Sequence, residues 1–132
     1  MKTYTITVAL VNYKNKYLIG KRSSSKKFAS NSWEVISGFL EEKKSAEEII
    51  LKELKEEVKL SGKIIRTTDH YSGNVKDKRW IVIPFLIEVN SDKFIINTED
   101  HSELKWATSR ELDTYPDLKD EIYHFKKLGL LQ

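Results

Sequence analysis

The stretch from Gly38 to Leu60, GFLEEKKSAEEIILKELKEEVKL, reads as a loop entering one amphipathic helix, and it constrains the fold more than any other part of the chain. Side chains turn by roughly 100° per residue around a helix, so positions three and four apart share a face. Along one stripe Ala46, Ile49 and Ile50 come first with Leu54 just beside it, and Glu53, Glu56 and Glu57 follow. A stripe that begins apolar packs against protein, so its acidic end is expected to line a cleft rather than an open solvent face. Three carboxylates near the helix C-terminus repel one another and the negative end of the helix dipole. A divalent cation would relieve that repulsion. An all-oxygen donor set suits Mg²⁺ or Mn²⁺, ions that in turn suit phosphate chemistry. Lys52, Lys55 and Lys59 offer the other reading, ordinary surface pairs worth about 0.2–0.5 kcal/mol each. The helix alone leaves the two readings level.

The rest of the chain supplies strands. Thr3 to Val11 alternates, with Tyr4, Ile6, Val8 and Leu10 on one side, and a turn region at Asn12–Lys16 leads to a second strand over Tyr17–Arg22. Ser23–Ser32 is small and polar and reads as a flexible loop, with a strand expected at Trp33–Ser37 and a connecting loop at Gly38–Lys44. The helix is expected to start near Ser45, with Glu48 as its capping-box partner. Further strands are expected over Gly62–Tyr71 and Arg79–Val89, with shorter ones at Phe94–Ile96 and Glu103–Trp106. Gly73, in the stretch 71–76, reads as a turn. A second helix is expected from Asp117 to about Lys127, after Pro116 and before Gly129, with Leu118, Ile122 and Phe125 as packing positions. Strands interleaved with two main helices give an α/β class, a mixed β-sheet sandwiched between helices.

A chain of 132 residues is expected to form a single domain over 1–132. Hydrophobic residues make up 39% and charged residues 33%, as in a soluble globular protein, and no apolar run reaches the length of a membrane span. The chain has no cysteine, which excludes disulfides and thiolate metal sites and fits a cytoplasmic protein. A formal charge of +3 helps anionic substrates approach but does not argue for binding long nucleic acid. His70, His101 and His124 are scattered without metal-ligand spacing, and Trp33, Trp80 and Trp106 read as core or edge aromatics.

The segment from Trp33 to Leu60 resembles the signature of the Nudix hydrolases, a loop–helix–loop with Gly, five residues, Glu, seven residues and then Arg-Glu-aliphatic-x-Glu-Glu-x-Gly-aliphatic. Gly38 takes the first position, Glu53 the Glu after the Arg, Leu54 the aliphatic, Glu56 and Glu57 the acidic pair, and Leu60 the closing aliphatic. Trp33 and Glu41 also fall where this family has Trp and Glu around its loop. Asp100-His101-Ser102-Glu103-Leu104-Lys105-Trp106 resembles the Glu-His-x-Glu-x-x-Trp strand that follows it in the family. The opening sixty residues look most like small MutT-type members. Three positions depart: Lys44 stands for Glu, Lys52 for Arg and Lys59 for Gly. Lys52 keeps a charge but loses the planar fork that fixes carboxylates, and Lys59 replaces a residue suited to a left-handed helix end.

The resemblance implies a Nudix-type α/β/α sandwich and a Mg²⁺-dependent hydrolase, with Mn²⁺ as a possible substitute. Its metal contacts would be Glu53, Glu56 and Glu57 with the carbonyl of Gly38. Its reaction would cleave a pyrophosphate bond in a nucleoside triphosphate or another nucleoside diphosphate linked to a group X, releasing a nucleoside monophosphate. Glu53 and Asp100 are the candidates for general base. Arg22, Lys44 and Glu103 are the candidates for substrate contact, Arg22 because small members place a phosphate-binding Arg there and Lys44 because of its place in the loop. Tyr71 and Trp80 fall in the region that builds the X-group pocket of the family. Lys44 and Lys52 favour two alternatives to efficient turnover: a nucleotide-binding module with weak catalysis, and, on the slight basic excess, a protein that binds RNA ends. A monomer and a homodimer are both compatible with the sequence.

Overall fold

The computed structural model describes residues 1–75 and 77–132 of the chain. Its central strand is β1 (Lys2–Tyr13), joined to β2 (Lys16–Arg22) by a two-residue turn at Lys14 and Asn15, both at positive φ. Two left-handed residues in succession match the twist of an antiparallel hairpin. Two short strands follow, β3 (Trp33–Glu34) and β4 (Ile36–Phe39), then helix α1 (Ala46–Val58). Strands β5 (Gly62–Thr67), β6 (Tyr71–Val75), β7 (Lys78–Val89) and β8 (His101–Thr108) lead to α2 (Ser109–Leu112), a 3₁₀ turn at Pro116–Leu118 and α3 (Lys119–Lys127).

β1 pairs in parallel with β7 from Lys2↔Lys78 to Asn12↔Glu88, while every other pairing is antiparallel, so the sheet is mixed. On its other edge β1 is shared between two partners. Residues Ile6–Ala9 pair with β4, and only Asn12 and Tyr13 pair with β2. β1 and β2 therefore splay apart, and the chain crosses from the edge of β2 (as β3) to the edge of β1 (as β4) at buried Val35. The continuous strand expected over Trp33–Ser37 is split for that reason.

Both faces of the sheet are buried at its centre, so Val8–Val11 of β1 are apolar on both alternations. Val8 and Leu10 pack with Ile19, Val82, Leu118, Ile122 and Phe125 under α3. Ala9 and Val11 pack with Ile36, Phe85, Ile87, Ile50, Leu54 and Val58 under α1. The result is the expected α/β/α arrangement.

Several elements differ from expectation. The strand expected over Gly62–Tyr71 stops at Thr67, and β6 resumes at Tyr71 along the same neighbour, β7, after an irregular register at Ile64/Arg66. Gly73 is not a turn: it lies within β6 opposite Trp80. Lys76, which closes that stretch, lies outside the described residues. Phe94–Ile96 forms no strand, because the Ile95 N–H donates to the Val58 carbonyl at 3.0 Å and so satisfies the end of α1 instead of a ladder. The second helix opens with the 3₁₀ turn and becomes α-helical only at Lys119. α2 was not expected, although Thr108 and Glu111 form a capping box that the sequence spells out.

Candidate functional site

α1 begins with a capping box. Ser45 accepts from the Glu48 N–H at 3.1 Å, and the Glu48 carboxylate accepts from the Ser45 N–H at 3.2 Å. That start fixes the helix phase, so that Ile49, Ile50, Leu54 and Val58 are buried against the sheet while Glu53 and Glu57 lie along the margin of the buried stripe. The helix ends at Lys59, which is left-handed (φ 62°, ψ 31°) and donates its N–H to the Lys55 carbonyl at 3.0 Å.

Glu53 lies directly on Gly38. A Cβ added at Gly38 would sit 2.6 Å from Glu53 Cγ and 3.3 Å from its Cδ, so the absence of a side chain lets the carboxylate press onto the loop backbone. Gly38 pairs with Thr7 in the β1–β4 ladder, and Thr7 Oγ1 also makes a long contact, 3.4 Å, with the Gly38 carbonyl.

Glu57 is the most perturbed acid of the cleft. Its stem is partly exposed, but Oε2 is shut off from water and has no hydrogen-bond partner. Burial, first of all, then hydrogen bonding and repulsion from Glu53, and then repulsion from Asp100 and Glu34 push its carboxyl up to about 9. Glu53 is also raised, mainly by burial. Without a cation, Glu57 therefore keeps a proton at neutral pH and donates it to Glu53. An orphaned carboxylate oxygen beside a second carboxylate that rests on the Gly38 backbone is an oxygen donor set that a hard divalent cation would satisfy.

Two further groups converge there. One ligand atom each from Glu34, Glu57 and His101 lie within 4.8 Å of one another. His101 is fully buried, with Nε2 2.9 Å from Glu34 Oε2, and its ring is seated against Gly20, where a Cβ would come within 2.6 Å of it. Neither residue was singled out for this place from sequence, because β3 and β8 meet across β2 only in the folded chain. The sole signal was the Asp-His pair at Asp100-His101.

The other expected site residues are less concentrated. Glu56 is exposed and 3.9 Å from Lys52, which is also 4.0 Å from Glu41. Asp100 is held by Lys26 Nζ at 3.1 Å yet remains close enough to raise both Glu53 and Glu57. Arg22 is engaged twice, by Glu34 Oε1 and by the Phe28 carbonyl, each at 3.0 Å. Lys44 is exposed in the loop before α1. Glu103 is exposed on β8 opposite Lys21.

The family model for the NUDIX domain matches residues 1–128. The chain belongs to the Nudix family. Solved structures agree on the fold. A MutT protein from Methanosarcina mazei Go1 superposes with a TM-score of 0.82 at 19% identity, over 96% of this chain and 94% of that one. A Nudix-family hydrolase from Clostridium perfringens gives 0.76 at 16%, over the whole of both chains. A Nudix hydrolase from Nitrosomonas europaea gives 0.74 at 20%, over 99% and 97%. None of the curated proteins matches the chain in sequence.

In Nudix terms, α1 is the signature helix and Gly38 its loop glycine. Where the signature carries Glu and Arg, this member has Lys44 and Lys52, the latter beside Glu41 and Glu56.

Proposed function

We propose that the chain is a Mg²⁺-dependent nucleotide pyrophosphohydrolase, with Mn²⁺ able to substitute. It attacks the pyrophosphate bond of a nucleoside triphosphate, or of another nucleoside diphosphate linked to X, and releases a nucleoside monophosphate. The observation that carries this reading is the Glu53–Glu57 pair beneath Gly38, with one buried carboxylate oxygen lacking any partner.

Glu53, Glu57 and the Gly38 carbonyl would hold the cation, with Glu56 reaching in from the exposed side. The bound cation supplies charge neutralisation at the phosphate oxygens and a lowered pKa for the attacking water. The chain does the rest by placement, since phosphoryl transfer gains mostly from positioning and charge stabilisation. Water oxygen bonds to phosphorus as the bridging P–O bond breaks, and its proton passes to a carboxylate. Glu53 and Asp100 are the candidates for that carboxylate, Glu53 from beside the cation and Asp100 from its ion pair with Lys26. Lys44, with Lys52, attracts the polyphosphate, and Arg22 can exchange Glu34 for a phosphate oxygen. Glu103 lies farther along β8, and a contact with the leaving portion of the substrate is the role we assign it.

Lys44 and Lys52, where the signature carries Glu and Arg, favour one other reading, a module that binds nucleotides with little turnover. Hydrolysis of a nucleotide panel with Mg²⁺ or Mn²⁺ separates the two. Release of nucleoside monophosphate that is lost in Glu57→Gln and reduced in Glu56→Gln supports the enzyme. Binding without product from the unmodified protein supports the module.

A further inference from the structure

The carboxylates of the cleft can be matched one by one to fixed cations. Glu34 Oε1 accepts from Arg22 at 3.0 Å, Asp100 Oδ1 lies 3.1 Å from Lys26 Nζ, and Glu56 lies 3.9 Å from Lys52. Among the described residues Glu53 and Glu57 form no such ion pair. The Lys26 pair is held in place by the backbone around it. The Ser23 N–H donates to the Asp100 carbonyl at 3.0 Å, and the Lys26 N–H donates to the Ser23 carbonyl at 3.1 Å. One tight turn is thus fastened to the same residue whose carboxylate its lysine meets. Ser23 is buried, and its Oγ accepts from the Ser25 N–H at 3.3 Å. The two paired side chains are only 32% and 26% exposed, so screening and stem entropy subtract less than they do from a surface pair. Lys26 therefore stands as a fixed positive charge beside an acid that repels both Glu53 and Glu57.

We propose that Lys26 fills the place of a second metal ion, so that the cleft of the nucleotide-free protein takes a single divalent cation. The inference rests on the hydrolase reading above and adds the number of ions to it. With Arg22, Lys26 and Lys52 set against Glu34, Asp100 and Glu56, the unbalanced charge is that of Glu53 and Glu57. One divalent ion cancels it. Asp100 is the acid a further ion would need, and the Lys26 ammonium already occupies that carboxylate and repels a second dication. An ammonium also does something different there. It balances charge and donates hydrogen bonds but coordinates no water and acidifies none, so it orients a phosphate without competing for the attacking water. Of the three donors on that ammonium Asp100 takes one, and a triphosphate entering the cleft can take another.

The test counts Mn²⁺ ions by electron spin resonance on protein free of nucleotide. The unmodified chain should hold one tight ion. Lys26→Met and Lys26→Gln, which keep a stem and remove the charge, should each hold two. The second should bind at least about tenfold tighter than any second ion on the unmodified chain. Lys26→Arg restores the cation and should return the count to one. Lys26→Met combined with Asp100→Asn should do the same, because it removes the acid that the extra ion needs. Two tight ions on the unmodified chain, or a single one on both uncharged variants, overturns the proposal and leaves the hydrolase reading standing. No tight ion on the unmodified chain overturns it as well, and release of nucleoside monophosphate by the same protein with Mg²⁺ then decides separately whether the hydrolase reading survives.

Discussion

Replacing Glu57 by Gln should make the cation-free protein more stable in mild alkali while abolishing cation uptake. The folded chain holds a proton on Glu57 up to about pH 9, whereas the unfolded chain gives it up near the ordinary value of 4.5. The folded state therefore binds more protons across that window, and stability present below the lower value is lost as pH rises toward the upper one. Each pH unit costs about 1.4 kcal/mol, which sets a ceiling of roughly 4–5 kcal/mol near pH 8. Relaxation of the partly exposed stem and water reaching Glu53 reduce this, and about 2 kcal/mol is the expected effect. Gln carries no charge, keeps the shape and can donate to Glu53 at every pH. In a chain of this size about 2 kcal/mol corresponds to roughly 6–10 °C in Tm. Thermal melts in chelator should show the variant ahead by about that much near pH 8, with the difference shrinking toward zero near pH 5. Added Mg²⁺ should raise the Tm of the unmodified protein and leave the variant unmoved. A gap that is the same at both pH values, or a variant that melts lower near pH 8, would refute the assignment of a strained, protonated Glu57.

Two other substitutions probe the same segment. Lys59→Gly removes the cost of a side chain in a left-handed conformation and should stabilise the chain by about 1 kcal/mol in denaturant melts, with turnover unchanged. Gly38→Ala places a Cβ against Glu53 and Ile49 Cγ2. It should keep the fold, cost about 1–3 kcal/mol of stability, and weaken Mn²⁺ binding by electron spin resonance at least about tenfold.

Much of this arrangement was legible in the sequence. Ser45 and Glu48 announce the start of α1, and the spacing of Ile49, Ile50 and Leu54 fixes which side of it is buried, so the placement of Glu53 and Glu57 at its margin followed. β1 was legible because its alternation is unbroken from Tyr4 to Leu10. Glu56 was expected in the cleft on the same grounds, and its side chain stands on the exposed side of the pair, beside Lys52. Only one of two adjacent glutamates can follow the buried stripe closely. The convergence of Glu34 and His101 on Glu57 could not be read, because it depends on β3 and β8 meeting across β2, with the two partners 67 positions apart in the chain. Phe94–Ile96 misled for a related reason. Its composition suits a strand, but the neighbouring hydrogen-bond acceptor is the end of α1.

Titration of the intact protein with Mn²⁺ near pH 7, by calorimetry in buffers of differing ionisation enthalpy, tests the cation-binding cleft most directly. Saturable uptake should appear together with release of about one proton from Glu57, and both should vanish in Glu57→Gln. Absence of uptake, or uptake that releases no proton and survives that substitution, would contradict the account.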